Sequence, residues 1–144
     1  MIDLLPGVNS TASALTAERI RMDVVSQNIA NMNTTRGLDG RPYQRQHVVF
    51  ESVLQQQQTG DATGAQPQSV NVARIEKDSR PPRLVYNPGH PDADSQGMVA
   101  MPDINMHEEM VDLITASRAF EANLAVMKNA RGMALQTLAI GKRA

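Results

Sequence analysis

Two narrow apolar stripes lie at opposite ends of this chain, and neither is wide enough to form a hydrophobic core alone. The carboxyl-terminal stripe alternates steps of four and three residues and is interrupted only at Ser117 and Arg131: Met106, Met110, Leu113, Ser117, Phe120, Leu124, Met127, Arg131, Ala134 and Leu138. The amino-terminal stripe repeats every seven residues, with Ala12 and Val25 between the repeats: Val8, Leu15, Met22 and Ile29. Heptad spacing places such residues along one seam of a helix. Both helices therefore require partners, which indicates assembly rather than chemistry.

The amino-terminal helix is predicted from about residue 9 to Asn31. Pro6 and Gly7 disfavour an earlier start, and Asn9 or Ser10 can cap the amino end. The asparagine-rich run that follows predicts the end of the helix.

The middle of the chain, residues 36–101, is rich in glycine and proline, so no long helix is expected there. Short runs of β-forming residues occur instead, at 46–50, 70–75, 84–86 and 98–101. A polar Gln- and Gly-rich stretch near residues 55–67 has almost nothing to bury, and we predict a mobile surface loop.

The carboxyl-terminal helix is expected to start at Asp103 or Asn105, because Pro102 disfavours helical backbone in the residue before it. Asn105 and Glu108 have the spacing of a capping box, and Gly141 is a natural stop. We therefore predict an elongated, mainly α fold with a small β insertion, divided into residues 1–35, 36–101 and 102–144. The two terminal helices are expected to pair as a coiled-coil bundle.

Composition excludes several classes of protein. The net charge of −1 with both signs dispersed argues against nucleic acid as a partner, and the absence of cysteine excludes thiol catalysis and disulfides. Two Tyr, two Phe and no Trp predict a small core. The first residues lack a basic and apolar leader, and no apolar run is long enough to cross a bilayer. We expect a chain that is cytosolic or is exported without a cleaved signal peptide.

Two segments resemble metal sites without completing them. The sequence from His107 begins like a zinc-protease motif, but Val111 stands where the second histidine ligand belongs. Residues 92–97 resemble an EF-hand loop with Asp103 at the last ligand position, but the Pro-rich segment before it cannot form the entering helix. We interpret the first as a solvated helix start and the second as an aspartate-rich turn, and expect no catalytic residue, cofactor or metal.

Asparagines at positions 28, 31 and 33 lie beside the amino-terminal seam, and two interpretations stay open. Asparagine readily ends helices, so the run can form a cap and turn. Alternatively, the amide side chains can bond to neighbouring backbone and fix one register of the apolar contacts. The two interpretations are compatible.

The sequence of residues 25–34 (VSQNIANMNT) resembles the amino-terminal signature of the axial proteins of bacterial flagella, which comprise rod, hook and hook-associated subunits. Four later blocks narrow the resemblance to the proximal rod proteins and extend it over nearly the whole chain: 41–45 (RPYQR), 48–51 (VVFE), 88–94 (PGHPDAD) and 108–123 (EEMVDLITASRAFEAN). Met98 and Asp103 depart from the pattern, where an aromatic residue and an asparagine are expected. These departures affect local packing.

The resemblance implies a structural component of the basal-body rod. In that family the terminal helices form an inner axial domain that lines the export channel, and the middle segment forms a β-rich outer part. The rod crosses the periplasm and transmits torque from the rotor ring to the hook. Implied partners are copies of this chain, other rod subunits, adaptor proteins between the rotor ring and export gate at the rod base, and the type III export apparatus, with no nucleic acid and no small-molecule substrate.

The assembly interface is predicted on both helices. The residues expected to form it are Leu15, Met22, Val25, Asn28, Ile29, Asn31, Leu113, Phe120, Leu124 and Met127. The alternative function is a cytosolic coiled-coil adaptor, which would use the same seams on a soluble partner. A metal-dependent enzyme is the other class, and the sequence offers no converging set of acid, base or ligands for it.

Overall fold

The fold is two terminal helices with a small β region between them. The computed structural model describes residues 6–37, 39–54 and 68–141. The elements in chain order are α1 (Pro6–Ala30), β1 (Gln46–Leu54), β2 (Gln68–Lys77), β3 (Arg83–Tyr86), β4 (Met98–Met101) and α2 (Met106–Gly141). The predicted combination of long terminal helices with a small β insertion is confirmed. The predicted loop at 55–67 lies outside the described residues.

Helix α1 begins earlier than expected. Its first residue is Pro6, so the predicted start at Asn9 or Ser10 is wrong. Proline is tolerated in the first turn, where a backbone N–H has no partner within the helix, and its fixed φ suits helical geometry. The helix ends at Ala30, one residue before the predicted end.

Helix α2 is 36 residues long and extends over about 54 Å. Asn105 precedes it, and the Asn105 Oδ1 accepts a hydrogen bond from the backbone N–H of His107 at 3.0 Å. The Asn105 Nδ2 donates to Glu108 Oε1 at 3.4 Å, so the predicted Asn105–Glu108 pair forms between side chains. Asn105 therefore caps the helix. No helix in the described part of the chain is both long and apolar enough to span a bilayer.

Replacing Asn105 with alanine is expected to lower the free energy of unfolding by about 1 kcal/mol, because the N–H of His107 loses its partner. Asn105→Asp keeps an acceptor at the same place and should retain nearly all of the stability. Urea unfolding of the three proteins measures the difference. If Asn105→Asp loses as much unfolding free energy as Asn105→Ala, the acceptor at position 105 does not stabilise the helix.

The four strands form two separate antiparallel hairpin-like pairs rather than one sheet, β1 with β2 and β3 with β4. The β1–β2 pairing shifts register between Val49 and Phe50, which places Ala73 in a bulge. Val48 pairs with Ile75 and Phe50 pairs with Val72, so apolar side chains lie opposite one another across the ribbon.

Helix α1 packs on α2 and on the β1–β2 ribbon. The two helices run antiparallel, because Asn28 near the end of α1 contacts Glu109 near the start of α2, while Arg21 contacts Asp112. The buried apolar residues among those described are small: Ala17, Val24, Val25, Val99 and Ala116. A core of this size leaves much of the cohesion between elements to polar contacts.

Candidate assembly site

The most completely bonded side chain in the interior is Asn28, which is 1% exposed. Its Nδ2 donates to the backbone oxygen of Gln46 at 2.8 Å and to Glu109 Oε2 at 2.9 Å. Its Oδ1 accepts from the backbone N–H of Gln46 at 2.9 Å and from the Tyr43 hydroxyl at 3.0 Å. An amide has two donor hydrogens and two acceptor lone pairs, and all four are used.

The pairing between Asn28 and Gln46 fixes where β1 begins against α1. The Asn28 amide donates to the C=O of Gln46 and accepts from its N–H, which is the pair of hydrogen bonds that a residue of a neighbouring strand would form. Because both groups belong to one residue, a shift of either element by one position breaks both bonds. This geometry supports the interpretation of Asn28 as a register-fixing residue, here within one subunit.

Glu109 extends the network to α2 and is fully buried. The Arg45 Nε donates to Glu109 Oε1 at 2.5 Å, and Arg45 Nη2 lies 3.6 Å from Asp112 Oδ2. Asp112 in turn lies 3.5 Å from Arg21 Nη2 on α1. A buried carboxylate is tolerated when it is paired and hydrogen-bonded, and Glu109 receives bonds on both oxygens. Charges of opposite sign therefore alternate from Glu109 through Arg45 and Asp112 to Arg21. This series connects α1, the segment before β1, and α2. We call Asn28, Tyr43, Arg45, Gln46 and Glu109 the polar network.

Tyr43 lies at the edge of this network. Partial burial, and secondarily the negative charge of Glu109, raise the pKa of the Tyr43 phenol above its ordinary value of 10.0. Both causes act against the phenolate, and its hydroxyl hydrogen is engaged by Asn28.

The raised pKa of Tyr43 predicts a loss of stability in alkali. In the unfolded chain the phenol ionises near pH 10.0, whereas in the folded chain it keeps its proton to higher pH. The stabilisation is therefore complete below the unfolded pKa and disappears as pH rises through the folded pKa. Tyr43→Phe should show a smaller fall in unfolding free energy across that range. Denaturant curves at neutral pH and above pH 10 test this, and parallel falls in both proteins would contradict it.

Asn31 has a different role from Asn28. Its Nδ2 donates to the Gln27 carbonyl at 2.9 Å, and its Oδ1 accepts from the Thr34 hydroxyl at 3.2 Å. These bonds lie in the turn that ends α1, as the cap-and-turn interpretation proposes. The two interpretations of the asparagine run thus apply to different members of it.

The aspartate-rich turn is held by bonds within the protein. Asp92 accepts a hydrogen bond from Thr35 Oγ1 at 2.8 Å and lies 3.8 Å from Arg36 Nη1. Asp94 Oδ1 accepts from the backbone N–H groups of Gln96 and Met98, both at 2.8 Å. Within residues 6–37, 39–54 and 68–141, no group of three or more His, Cys, Asp or Glu side chains could hold a metal ion. The turn therefore attaches the β3–β4 region to the segment after α1.

A cleft of about 260 Å³ beside the polar network is lined partly by Arg41, Arg45 and Arg80. Four of its charged side chains are already paired: Arg45, Asp78, Arg80 and Asp103. Arg80 Nε donates to Asp78 at 2.7 Å and Arg80 Nη1 lies 3.2 Å from Asp103. The Arg80 guanidinium lowers the pKa of the Asp78 carboxyl, which keeps this group ionised. The cleft presents no nucleophile next to a base.

The predicted interface residues fall into three groups by exposure. Val25 and Asn28 are buried in α1. Seven others are partly buried: Leu15, Met22, Ile29, Asn31, Leu113, Phe120 and Met127. Leu124 is 36% exposed. How these ten positions contact other subunits stays a prediction.

The face that α2 buries within the chain differs from the predicted stripe. The fully buried positions are Glu109 and Ala116, one heptad apart, whereas Met110 is 44% exposed. Leu113, Phe120 and Met127 belong to both patterns. The physical reason is that bonds to Asn28 and Arg45 place Glu109 inside, and Ala116 lets α1 approach closely. The sequence interpretation therefore missed four residues of the polar network: Tyr43, Arg45, Gln46 and Glu109. The one signal in the sequence was Glu109, which lies seven residues before Ala116 and so shares its side of the helix.

Comparisons with known proteins agree with this architecture. Two family models match the ends of the chain: "Flagella basal body rod protein" at residues 9–36 and "Flagellar basal body rod FlgEFG protein C-terminal" at residues 95–140. The flagellar basal-body rod protein FlgC of Borreliella burgdorferi is 41% identical, with 95% of this chain and 97% of that protein covered. The FlgC protein of Bacillus subtilis is 42% identical, with 94% of this chain and 96% of that protein covered. The FlgC protein of Yersinia enterocolitica is 39% identical, with 98% of this chain and 100% of that protein covered.

The chain belongs to the FlgC family. The predicted resemblance to flagellar rod proteins is confirmed, and with it the interpretation as a structural component of the flagellar basal-body rod. The FlgC relatives give no support to the alternative of a cytosolic adaptor. The polar network joins residues from both matched ends with the segment between them.

Proposed function

We propose that this chain is a proximal-rod subunit that transmits torque from the rotor ring to the hook and lines the export channel. The observation that carries the proposal is the identity of about 40% to FlgC proteins over nearly the full length of both chains. A subunit with this role makes and breaks no bond in a substrate. The relatives are flagellar basal-body rod proteins, which is consistent with a chain that is not an enzyme.

The polar network is suited to a subunit that transmits torque. Torque tends to slide α1 along α2, and such a slide would separate Asn28 from Glu109 and Arg21 from Asp112. Apolar contacts alone tolerate sliding because they have no direction, whereas hydrogen bonds lose strength when distance or angle changes. The network therefore gives the small core resistance to shear.

The terminal segments, 1–35 and 102–144, form the inner axial domain in this proposal, and residues 36–101 form the outer part. The helices pair there as a coiled-coil bundle with helices of neighbouring subunits. Large apolar residues near the end of α2 support this arrangement by their exposure, which is between 57% and 72%: Met133, Leu135, Leu138 and Ile140. The ten predicted interface residues line the contacts between helices, where Leu124 faces a neighbour.

The partners follow from this location. Copies of this chain and other rod subunits surround it, adaptor proteins connect it to the rotor ring and export gate, and the type III apparatus exports it without a cleaved signal peptide. The rod spans the periplasm. Nucleic acid and small-molecule substrates have no part in the function.

Deletion of the gene, with complementation, tests the proposal. The deletion strain should make neither rod nor hook and should not swim, and a plasmid copy of the wild-type chain should restore both. Electron microscopy of isolated basal bodies gives the readout. Rods of normal length and normal swimming in the deletion strain would refute a structural role.

A further inference from the structure

Gly132 lies in the interior of α2, nine residues before the last residue of the helix. Among the described residues, a Cβ at Gly132 would meet no atom within 4 Å beyond its chain neighbours and the adjacent helix backbone. The φ of Gly132 is not positive. Neither packing nor backbone conformation within the chain therefore requires glycine here. An interior glycine nevertheless lowers the equilibrium constant for helix formation about five-fold relative to alanine, because its backbone is freer.

Gly132 marks the point at which α2 separates from α1. In the described part of the chain, α1 is the only helix or strand that α2 contacts. The pair Asn28–Glu109 fixes the antiparallel alignment, so the first residue of α1 lies about level with residue 131 of α2. From residue 132 to residue 141, only Ala134 is partly buried and every other residue is exposed. The contacts that hold α2 in place therefore end at the glycine.

The segment after Gly132 is apolar on opposite sides. Met133 and Ile140 are seven residues apart, share one side of the helix, and are 68% and 72% exposed. Leu135 is rotated by about 200° from Met133 and is 57% exposed. A helix that is apolar on opposite sides requires neighbours on both. Neighbouring chains therefore set the direction of this segment, whereas α1 sets the direction of the preceding part of α2.

We propose that Gly132 is a hinge at which residues 133–141 change direction relative to the rest of α2 when the chain is built into the rod. The hinge rests on the proposed function, because the rod supplies the neighbours that enclose this segment. Hinges consist of a few residues that absorb changes in φ and ψ, and glycine absorbs them without steric cost. An alanine at position 132 would hold the segment on the axis that α1 fixes.

Moving the glycine tests the hinge in cells. Gly132→Ala should reduce the diameter of the swimming zone in soft agar at least two-fold, although alanine favours the helix. Adding Asn129→Gly places a glycine less than one turn away, at an exposed position, and should restore the wild-type diameter. The matched control adds Asn129→Ala instead, which differs from the restoring variant by one methyl group, and should restore nothing.

The outcomes separate the hinge from the proposed function. Wild-type swimming by Gly132→Ala would refute the hinge while the rod role stands. Failure of Asn129→Gly to restore swimming would also refute it, because the added methyl group rather than the lost freedom would then block assembly. Equal restoration by Asn129→Ala would refute it as well. If the wild-type chain is absent from purified basal bodies, the proposed function itself fails.

Pulsed electron spin resonance on the purified full-length chain gives a second test that does not depend on swimming. The chain has no cysteine of its own, so spin labels on two introduced cysteines report a single distance. The test pair, Glu121→Cys with Ile140→Cys, spans the glycine. The control pair, His107→Cys with Val126→Cys, lies before it and has the same separation of 19 residues, about 28 Å in a straight helix.

The test pair should give a distance distribution at least twice as wide as that of the control pair. Gly132→Ala should narrow the distribution of the test pair to the width of the control. Equal widths for the two pairs in the otherwise wild-type chain, or a width that Gly132→Ala leaves unchanged, would refute the hinge.

Discussion

Replacing Asn28 with alanine is expected to lower the free energy of unfolding by about 3 kcal/mol. The change removes four hydrogen bonds and leaves the N–H and C=O of Gln46 and one oxygen of buried Glu109 without partners. An unpaired buried polar group costs about 1–3 kcal/mol, and water entering the vacated space recovers part of the sum. Urea unfolding of the purified full-length chain measures the effect.

The matched control for Asn28→Ala is Asn33→Ala. Asn33 lies in the exposed turn after α1, only five positions away, and loses no side-chain hydrogen bond among the described residues. Its replacement should change stability by less than about 0.5 kcal/mol. If Asn28→Ala is as stable as Asn33→Ala, the polar network does not hold the helices and ribbon together.

Phe120→Asp is expected to abolish incorporation into the rod. Phe120 is partly buried, and it belongs both to the predicted stripe and to the face that α2 buries. A carboxylate there loses the apolar contacts of the ring and must be partly desolvated, which together cost about 3 kcal/mol. Basal bodies isolated from a strain with this variant should contain none of it, and the cells should not swim.

Phe120→Leu is the conservative comparison for this prediction. It keeps an apolar side chain of somewhat smaller volume, costs less than about 1.5 kcal/mol and should support swimming. Export is monitored by detecting Phe120→Asp outside the cytoplasm. Normal swimming by Phe120→Asp would count against the packing proposed for α2.

Local sequence patterns predicted the elements of this fold well. Heptad spacing and the turn residues predicted both terminal helices and the four short β runs, because these signals act between near neighbours in the chain. The start of α1 was wrong because proline can either block a helix or open one, and the outcome depends on what surrounds it.

The polar network could not be predicted in the same way. Glu109 and Arg45 are separated by 64 residues, and Asn28 and Glu109 by 81. A glutamate in the first turn of a helix is normally solvated, so its burial depends on partners that only the tertiary fold brings close. The same long-range bonds shift the inner face of α2 from Met110 and Ser117 towards Glu109 and Ala116. The asparagine run indicated that amide bonding was possible, but it did not identify Gln46 as the partner.

Detection of this chain in hook and basal-body complexes purified with detergent tests the rod assignment most directly. Mass spectrometry or immunoblotting of the washed complexes is compared with the soluble fraction of the same cells. The chain should stay with the complexes through washing, as an integral rod subunit must. Its absence from them, with abundant chain in the soluble fraction, would contradict the rod assignment and favour an adaptor.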